Sequence, residues 1–396
     1  MTKAADALAA AGHDVRMVST RHTPWAVPAD DEMRATRSWR WRVVDYRPRE
    51  ARWLYLKSGL RGRAALAMAR RFGAKQIPFG LGVHAYARVH SELVSAALEE
   101  PADLFYGGTT GALAATAEAA RRSGTPYGLD LEDFHAEEQE GAEGPLMNAL
   151  GDRIVARVAP HAAFVTTSSA PNAAAYNQRY GLDAITIHNT FPLPAQPPTI
   201  APRNGAPLRA YWFSQTIGLG RGLEGFIRGA GAAAVPVELH LRGRSSPGYL
   251  PTLQTLIASS APQLSLVTSA PGTPDRMVPL CVDHEIGLAI EEGQTLSHRN
   301  SLSNKALTYI LAGLAVVLTD TDGQRELADG LGEDGSLVYR EGDYGTLARG
   351  LSRWYHEPER LLAARRAAWR AATGQWHWEH ASQRGRLVAA IGAALA

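Results

Sequence analysis

The sequence predicts an α/β protein: two Rossmann-like, doubly wound domains that face one another across a cleft. Two observations carry this. Short apolar strands alternate with helical segments along most of the chain, as parallel sheets with crossover helices require. Midway, six prolines fall between residues 192 and 207, and the same alternation then starts afresh. The 396 residues suffice for two or three domains with substantial cores. An apolar fraction of 45%, a charged fraction of 20% and a net charge of +2 fit an ordinary globular chain and set up no global field toward nucleic acid. A single cysteine, Cys281, leaves no disulfide framework and no cysteine-rich metal site. No apolar run reaches the roughly 18 residues of a membrane span, and no signal peptide is legible. The expected location is cytoplasmic, peripheral at the inner membrane face at most.

The elements follow in order. "TKAADALAAAGHDVRMVST" reads as helix, glycine, strand: Ala5, Leu8 and Ala9 make an apolar face at helical spacing, Gly12 ends the helix, and Val15 to Val18 begin a strand. A doubly wound domain normally opens on a strand. The N-terminal domain is therefore expected to lack its first strand, either in the fold or because the true start lies upstream. Leu104 to Tyr106 is a strand, followed by Gly107–Gly111 and an alanine-rich helix to about Arg122. "TPYGLDLED" is a strand ending in acids, and a helix runs from about Pro145 to Val158. "AAFVTTSS" supplies a strand and a helix N-cap, Pro171 to Tyr180 the helix, and "AITIHN" a strand. Beyond the prolines, "LRAYWFSQ", "VELHLRG", "LSLVTS", "EIGLAI" and "AVVLTD" read as strands, with helices near Leu223 and over "YLPTLQTLIASS". The tail from Tyr344 is mostly helical. The domains are placed at 1–195 and 208–370, with a proline-rich linker at 196–207 and a terminal helical segment at 371–396.

Residues 34–75 carry thirteen basic residues and two acids, with Trp39, Trp41, Trp53 and Tyr55 interleaved. Three readings stand open: a solvated face whose tryptophans pack inward, a surface for anionic membrane, or a nucleic-acid surface. No RNA- or DNA-binding motif accompanies the stretch, so nucleic acid is not expected as a partner.

Three segments can carry chemistry. In "FSQTIGLGRGLEGF", Gly218, Gly220 and Gly222 allow a tight turn into a helix, and Arg221 sits among them. Free N–H groups at a helix start plus a guanidinium suit phosphate; a glycine-rich turn with a surface arginine is the plainer alternative. The spacing is not that of a dinucleotide fingerprint, so a nicotinamide cofactor is not expected. In "RNSLSNKALTYILAGLAVVLTD", Ser303 or Asn304 caps a second helix and Lys305 adds charge, so the two helix starts can hold a pyrophosphate. In "GLDLEDFHAEE", Glu132, Asp133 and His135 stand just past a strand end, where they can orient or deprotonate a hydroxyl, or else cap the next segment and pair with bases.

These stretches make the chain resemble the GT-B glycosyltransferases, in particular the family-4-like "group 1" transferases. The resemblance rests on "GRGLE" at 220–224, "SLSNKALTYILAGLAVVLTD" at 301–320, "GQREL" at 323–327, "AADALAAAGHDV" at 4–15 and "DLEDFH" at 130–135. It implies an N-terminal acceptor domain, a C-terminal domain for a nucleoside-diphosphate sugar, a last helix crossing back, and usually retained anomeric configuration. It implies no bound metal and no cofactor beyond the donor itself; the acceptor would be a glycan, a lipid-linked sugar or a small molecule. It assigns Glu132, Asp133, His135, Arg221 and Lys305 to catalysis, and Gly218, Gly220, Gly222, Asn300, Ser303, Asn304 and Thr308 to the donor. The chain departs from the family at two ribose-binding acids, which fall on Thr308 and Asn300. Thr308 would then make a weaker, neutral contact to ribose, or would merely face solvent. That departure keeps two alternatives open: a non-catalytic GT-B partner subunit, and a GT-B sugar-nucleotide epimerase.

Overall fold

The computed structural model describes residues 1–202 and 205–396; residues 203 and 204, inside the expected linker, lie outside the described residues. The chain divides into two compact units. The first comprises Met1–Ile187, Thr295–Ser297 and Arg384–Ala396; the second comprises His188–Gln294 and His298–Gln383.

The first unit runs α1 (Thr2–Ala10), β1 (Arg16–Arg21), α2 (Val27–Ala35), β2 (Arg40–Asp45), α3 (Arg52–Phe72), α4 (Phe79–Tyr86), α5 (His90–Ala97), β3 (Phe105–Gly108), α6 (Thr110–Ser123), β4 (Tyr127–Asp130), α7 (Gly144–Val158), β5 (Phe164–Thr167), α8 (Ala170–Tyr180) and β6 (Ala184–Thr186). All pairings are parallel, and they form two separate sheets: β1 with β2, and β3-β4-β5-β6 in that order. β1 and β3 are edge strands of these sheets, each paired on one side only. The core beneath β3–β6 is built from Leu113, Leu129, Leu131, Ile154, Val155 and Tyr176.

Part of the basic stretch is ion-paired on the protein itself. Arg37 pairs with Asp6, Arg40 with Asp14 and Glu100, Arg42 with Glu99, Arg47 with Asp45 and Glu50, and Arg61 with Glu92. Trp39 and Trp41 turn inward, their indole N–H groups donating to Asp6 (2.7 Å) and to Ser19 (2.6 Å). Trp53 does not; it is 79% exposed. Among the described residues no helix is long and apolar enough to cross a membrane.

The second unit runs β7 (Leu208–Ile217), α9 (Leu223–Ala233), β8 (Val237–Ser245), α10 (Tyr249–Ser260), β9 (Leu264–Ser269), β10 (Ile286–Ala289), α11 (Leu296–Asn300, shared with the first unit), α12 (Asn304–Leu311), β11 (Ala315–Thr319), α13 (Asp322–Leu331), β12 (Ser336–Tyr339), α14 (Tyr344–His356) and α15 (Pro358–Gly374). Its single parallel sheet has the order β12-β11-β10-β7-β8-β9. Side chains alternate across it: Leu208, Ala210 and Trp212 join the core on one face, Tyr211 the core on the other. The last helix, α16 (Arg386–Leu395), belongs to the first unit and packs on α1 and β5.

The chain after β6 is fastened along the second unit. The Thr190 hydroxyl donates to the Trp376 carbonyl (2.7 Å), and the Trp378 N–H to the Phe191 carbonyl (2.9 Å). Arg365, buried, donates to the carbonyls of Gly313 (3.0 Å), Thr199 (3.2 Å) and Ala201 (3.3 Å). Trp376 and Trp378 are buried packing residues.

A second buried cation-forming group sets an acid limit. His284 is 7% exposed, stacks on Tyr211 (4.4 Å between ring centres) and donates from Nδ1 to the Cys281 carbonyl (3.1 Å). Burial, aided by His240, pulls it from 6.5 down to about 4. The unfolded chain takes up this proton below pH 6.5, while the folded chain refuses it until about 4, so stability falls as pH drops through that window. The expected loss is roughly 3 kcal/mol. Denaturant midpoints at stepped pH check it, and His284→Phe should flatten the slope.

Candidate functional site

In the second unit the strand order reverses between β7 and β10. Loops leaving strands at such a reversal turn away from one another and open a crevice outside the carboxyl ends. The loop after β7 (residues 218–222) and the loop after β10 (residues 290–295) flank that point. A Cβ placed on Gly222 would stand 2.0 Å from the Ile290 carbonyl oxygen, so the turn presses its bare backbone onto the end of β10. Gly222 has φ +75° and begins α9 with no side-chain cap. Gly220 (φ +70°) lies near the Gln294 amide, 3.8 Å from where its Cβ would be, and Gly218 close under Ser246. Arg221, between these glycines, is exposed and has no ion-pair partner among the described residues. Free helix N–H groups and an unpaired guanidinium together form an anion site.

The start of α12 reaches the same loop. The Ser303 hydroxyl caps α12, accepting from the Lys305 N–H (3.3 Å). Lys305 Nζ is ion-paired with Glu291 and lies over the Trp212 ring (5.6 Å), so its charge is already balanced. Glu291 is itself held in place: its carbonyl accepts from the Thr319 hydroxyl (2.7 Å). The Gln324 amide donates to the Ala289 carbonyl (3.1 Å). Thr308 corrects both expectations made for it. It is fully buried, and its hydroxyl donates to the Asn304 carbonyl one turn back (2.7 Å), so it neither faces solvent nor offers itself to a ribose. Asn300 is likewise buried, at 4% exposure.

Glu132, Asp133 and His135 follow β4 in the first unit. Glu132 adopts φ +36°, a left-handed backbone that costs a non-glycine residue about 1 kcal/mol. Four donors converge on its carbonyl and hold it there: the Ser168 hydroxyl (2.6 Å), the Asn172 amide (3.1 Å), the Thr167 hydroxyl (3.4 Å) and the Ser168 N–H (3.4 Å). The result is a half-buried carboxylate aimed by its backbone. Lys3 lies beside it. Burial pulls the Lys3 amine down to about 8, against the opposing pull of Glu132 and Asp130. Asp130 is raised by burial and by the neighbouring Glu132 charge, and accepts from the Thr166 hydroxyl (2.9 Å). Asp133 is half-buried, and its carbonyl accepts from the Tyr176 hydroxyl (2.5 Å). His135, the third of these candidates, is buried. It is 3% exposed, with Nδ1 bonded to Glu138 (2.8 Å) and Nε2 buried without a partner.

Sequence reasoning missed three residues. Glu291 was legible as an acid directly after the strand "EIGLAI". Arg299, whose side chain lies against Gly293, and Lys3, in an alanine-rich helix, gave no local signal. Among the described residues no cluster of three or more His, Cys, Asp or Glu side chains is placed to hold a metal ion.

Residues 1–190 match the family described as glycosyl transferase 4-like domain. No curated protein matches the chain by sequence. Among solved structures, Anabaena Alr3699/HepE in complex with UDP aligns over 96% of this chain and 98% of its own, with a TM-score of 0.63 and 14% identity. Sucrose-phosphate synthase from Thermosynechococcus elongatus aligns over 99% and 92%, with a TM-score of 0.65 and 13% identity. S. aureus TarM, in complex with fondaparinux, alpha-GlcNAc-glycerol and UDP, aligns over 80% of this chain and 58% of its own, with a TM-score of 0.55 and 10% identity.

Proposed function

We propose that this chain, which has the GT-B fold and matches the glycosyl transferase 4-like domain over residues 1–190, is a glycosyltransferase that moves a sugar from a nucleoside diphosphate to a hydroxyl acceptor. The observation that carries the donor side is the strand-order reversal between β7 and β10, with the uncapped start of α9 and the unpaired Arg221 beside it. The bond from the anomeric carbon to the diphosphate breaks, and the bond to the acceptor oxygen forms. Negative charge grows on the departing diphosphate, where the α9 N–H groups and Arg221 stabilise it. The acceptor proton passes to the Glu132 carboxylate or to a phosphate oxygen of the leaving group. A retaining outcome, with the donor as the only small molecule needed, completes the reading. UDP is the nucleotide of choice, because the HepE and TarM complexes contain it. The acceptor is a lipid-linked sugar met at a membrane surface, a reading supported by the exposed basic and aromatic residues of α3.

A thermal-shift panel with UDP, GDP, dTDP, ADP and CMP tests the donor site, since a ligand of the native state alone raises its stability. UDP should shift the melt selectively. Arg221→Ala should weaken UDP about 10- to 100-fold, the worth of a charged hydrogen bond, with the ligand-free melt unchanged. An unaltered UDP affinity would remove Arg221 from the donor site.

A second reading has its own support. Lys305 is neutralised by Glu291 and Thr308 is turned inward, which fits a partner subunit that kept the fold and lost donor chemistry. Release of UDP from UDP-glucose by the purified chain would exclude that reading.

A further inference from the structure

α3 packs on the protein by its small residues. Ser58, Gly62, Ala65 and Ala69 are buried, and a Cβ on Gly62 would stand 2.9 Å from the Arg88 Cβ. Leu54 packs inward as well, but most of the larger apolar residues point the other way. Trp53 (79%), Leu56, Leu60 (67%), Met68 and Phe72 are all exposed, and Ala64 fills the one gap in a series spaced three or four residues apart. That spacing makes one continuous stripe along the 21-residue helix. A stripe of this kind on the outside of a soluble domain marks an interaction surface. The helix contains no acidic residue, and Arg52, Lys57, Arg63 and Arg71, exposed along it, have no ion-pair partner among the described residues. The other bases between Arg37 and Arg61 that pair with acids are spent on the fold; these four are not.

We propose that the outward face of α3 docks on an anionic bilayer, with the apolar stripe in the acyl boundary and the four bases on lipid phosphates. The charge decides between occupants. A second copy of this chain would bring four like charges against four, whereas an anionic lipid surface complements them. The stripe, exposed along its length and unbroken by acids, has the composition of a helix that lies in the membrane plane. The inference deepens the lipid-linked acceptor reading above, and its residues are separate from those of the nucleotide crevice.

The experiment is flotation of the full chain with vesicles of phosphatidylcholine alone and of phosphatidylcholine with phosphatidylglycerol. Wild type should float with the anionic vesicles, release in high salt, and leave the neutral ones. Lys57→Glu with Arg63→Glu, and separately Trp53→Ser with Leu60→Ser, should each cut the bound fraction at least about tenfold. All four side chains are exposed or face outward, so the melting curves and the UDP shift of these variants should match wild type. Equal flotation on neutral vesicles, no flotation on either, or unaltered flotation of both variants would overturn the proposal. So would a concentration-dependent dimer that Trp53→Ser with Leu60→Ser converts to monomer. Anionic flotation in a chain that shows no nucleotide shift would keep the docking face and sink the donor-site reading instead.

Discussion

Gly222→Ala is expected to lose roughly 3–5 kcal/mol of stability and to abolish the UDP shift. Two independent costs add at this residue. The backbone stands at φ +75°, which a Cβ opposes, and that Cβ would meet the Ile290 carbonyl oxygen at 2.0 Å, where real contacts do not occur. Neither neighbour is the free end of a flexible side chain, so the turn after β7 must lift off the end of β10. That lifting moves Arg221 and the first N–H groups of α9 together, which couples the fold defect to the anion site. Gly220→Ala is the internal control. Its φ is +70°, yet nothing but the Gln294 amide lies within 4 Å, so only about 1 kcal/mol of backbone strain is expected. Denaturant unfolding of the two variants, read beside their UDP shifts, separates strain from clash. Equal losses in the two would show that the close approach to Ile290 is not what fixes the turn.

Glu132→Gln is expected to lower turnover about 10²- to 10⁴-fold, the range of general acid–base catalysis, while the UDP shift stays at the wild-type value. The substitution keeps the shape and the left-handed backbone, and removes only the charge. The carbonyl of residue 132 is bound by Ser168, Asn172 and Thr167 whichever side chain is present, so the loop should hold. The partner amine should respond. Lys3 is pulled down to about 8 by burial, and the Glu132 charge resists that pull, so loss of the carboxylate should lower the amine further. Release of UDP from UDP-glucose measures the first effect. A turnover within a few-fold of wild type would assign the proton to the diphosphate rather than to Glu132.

Part of the fold was legible because strands such as β5, β10 and β11 are buried along their whole length and a few helices begin at side-chain caps. "LSLVTS" reads as β9 residue for residue, and Ser169, Ser303 and Thr321 cap α8, α12 and α13 through their hydroxyls. α3 was not legible, because its fully buried face is made of Ser58, Gly62, Ala65 and Ala69 while most of its large apolar residues face outward. Hydrophobic periodicity marks such a helix on the wrong side. The site was legible in position and not in pairing. The turn at 218–222 and the acids after β4 stand at strand ends, where chain topology alone puts a site. That Lys305 would be spent on Glu291, and that Thr308 would bond its own helix, depends on contacts between segments and on a rotamer, neither of which sequence spacing encodes.

The brace formed by Arg365 and the chain from His188 to Ala201 has a practical bearing on dissection of the molecule. A gene fragment opened at Leu208, the natural place to begin if β7 is taken as the start of a domain, would discard the carbonyls of Thr199 and Ala201 and take two acceptors from a buried guanidinium. It would also strip the hydroxyl of Thr190 from Trp376. The separable piece therefore begins about twenty residues earlier than its sheet does, at His188.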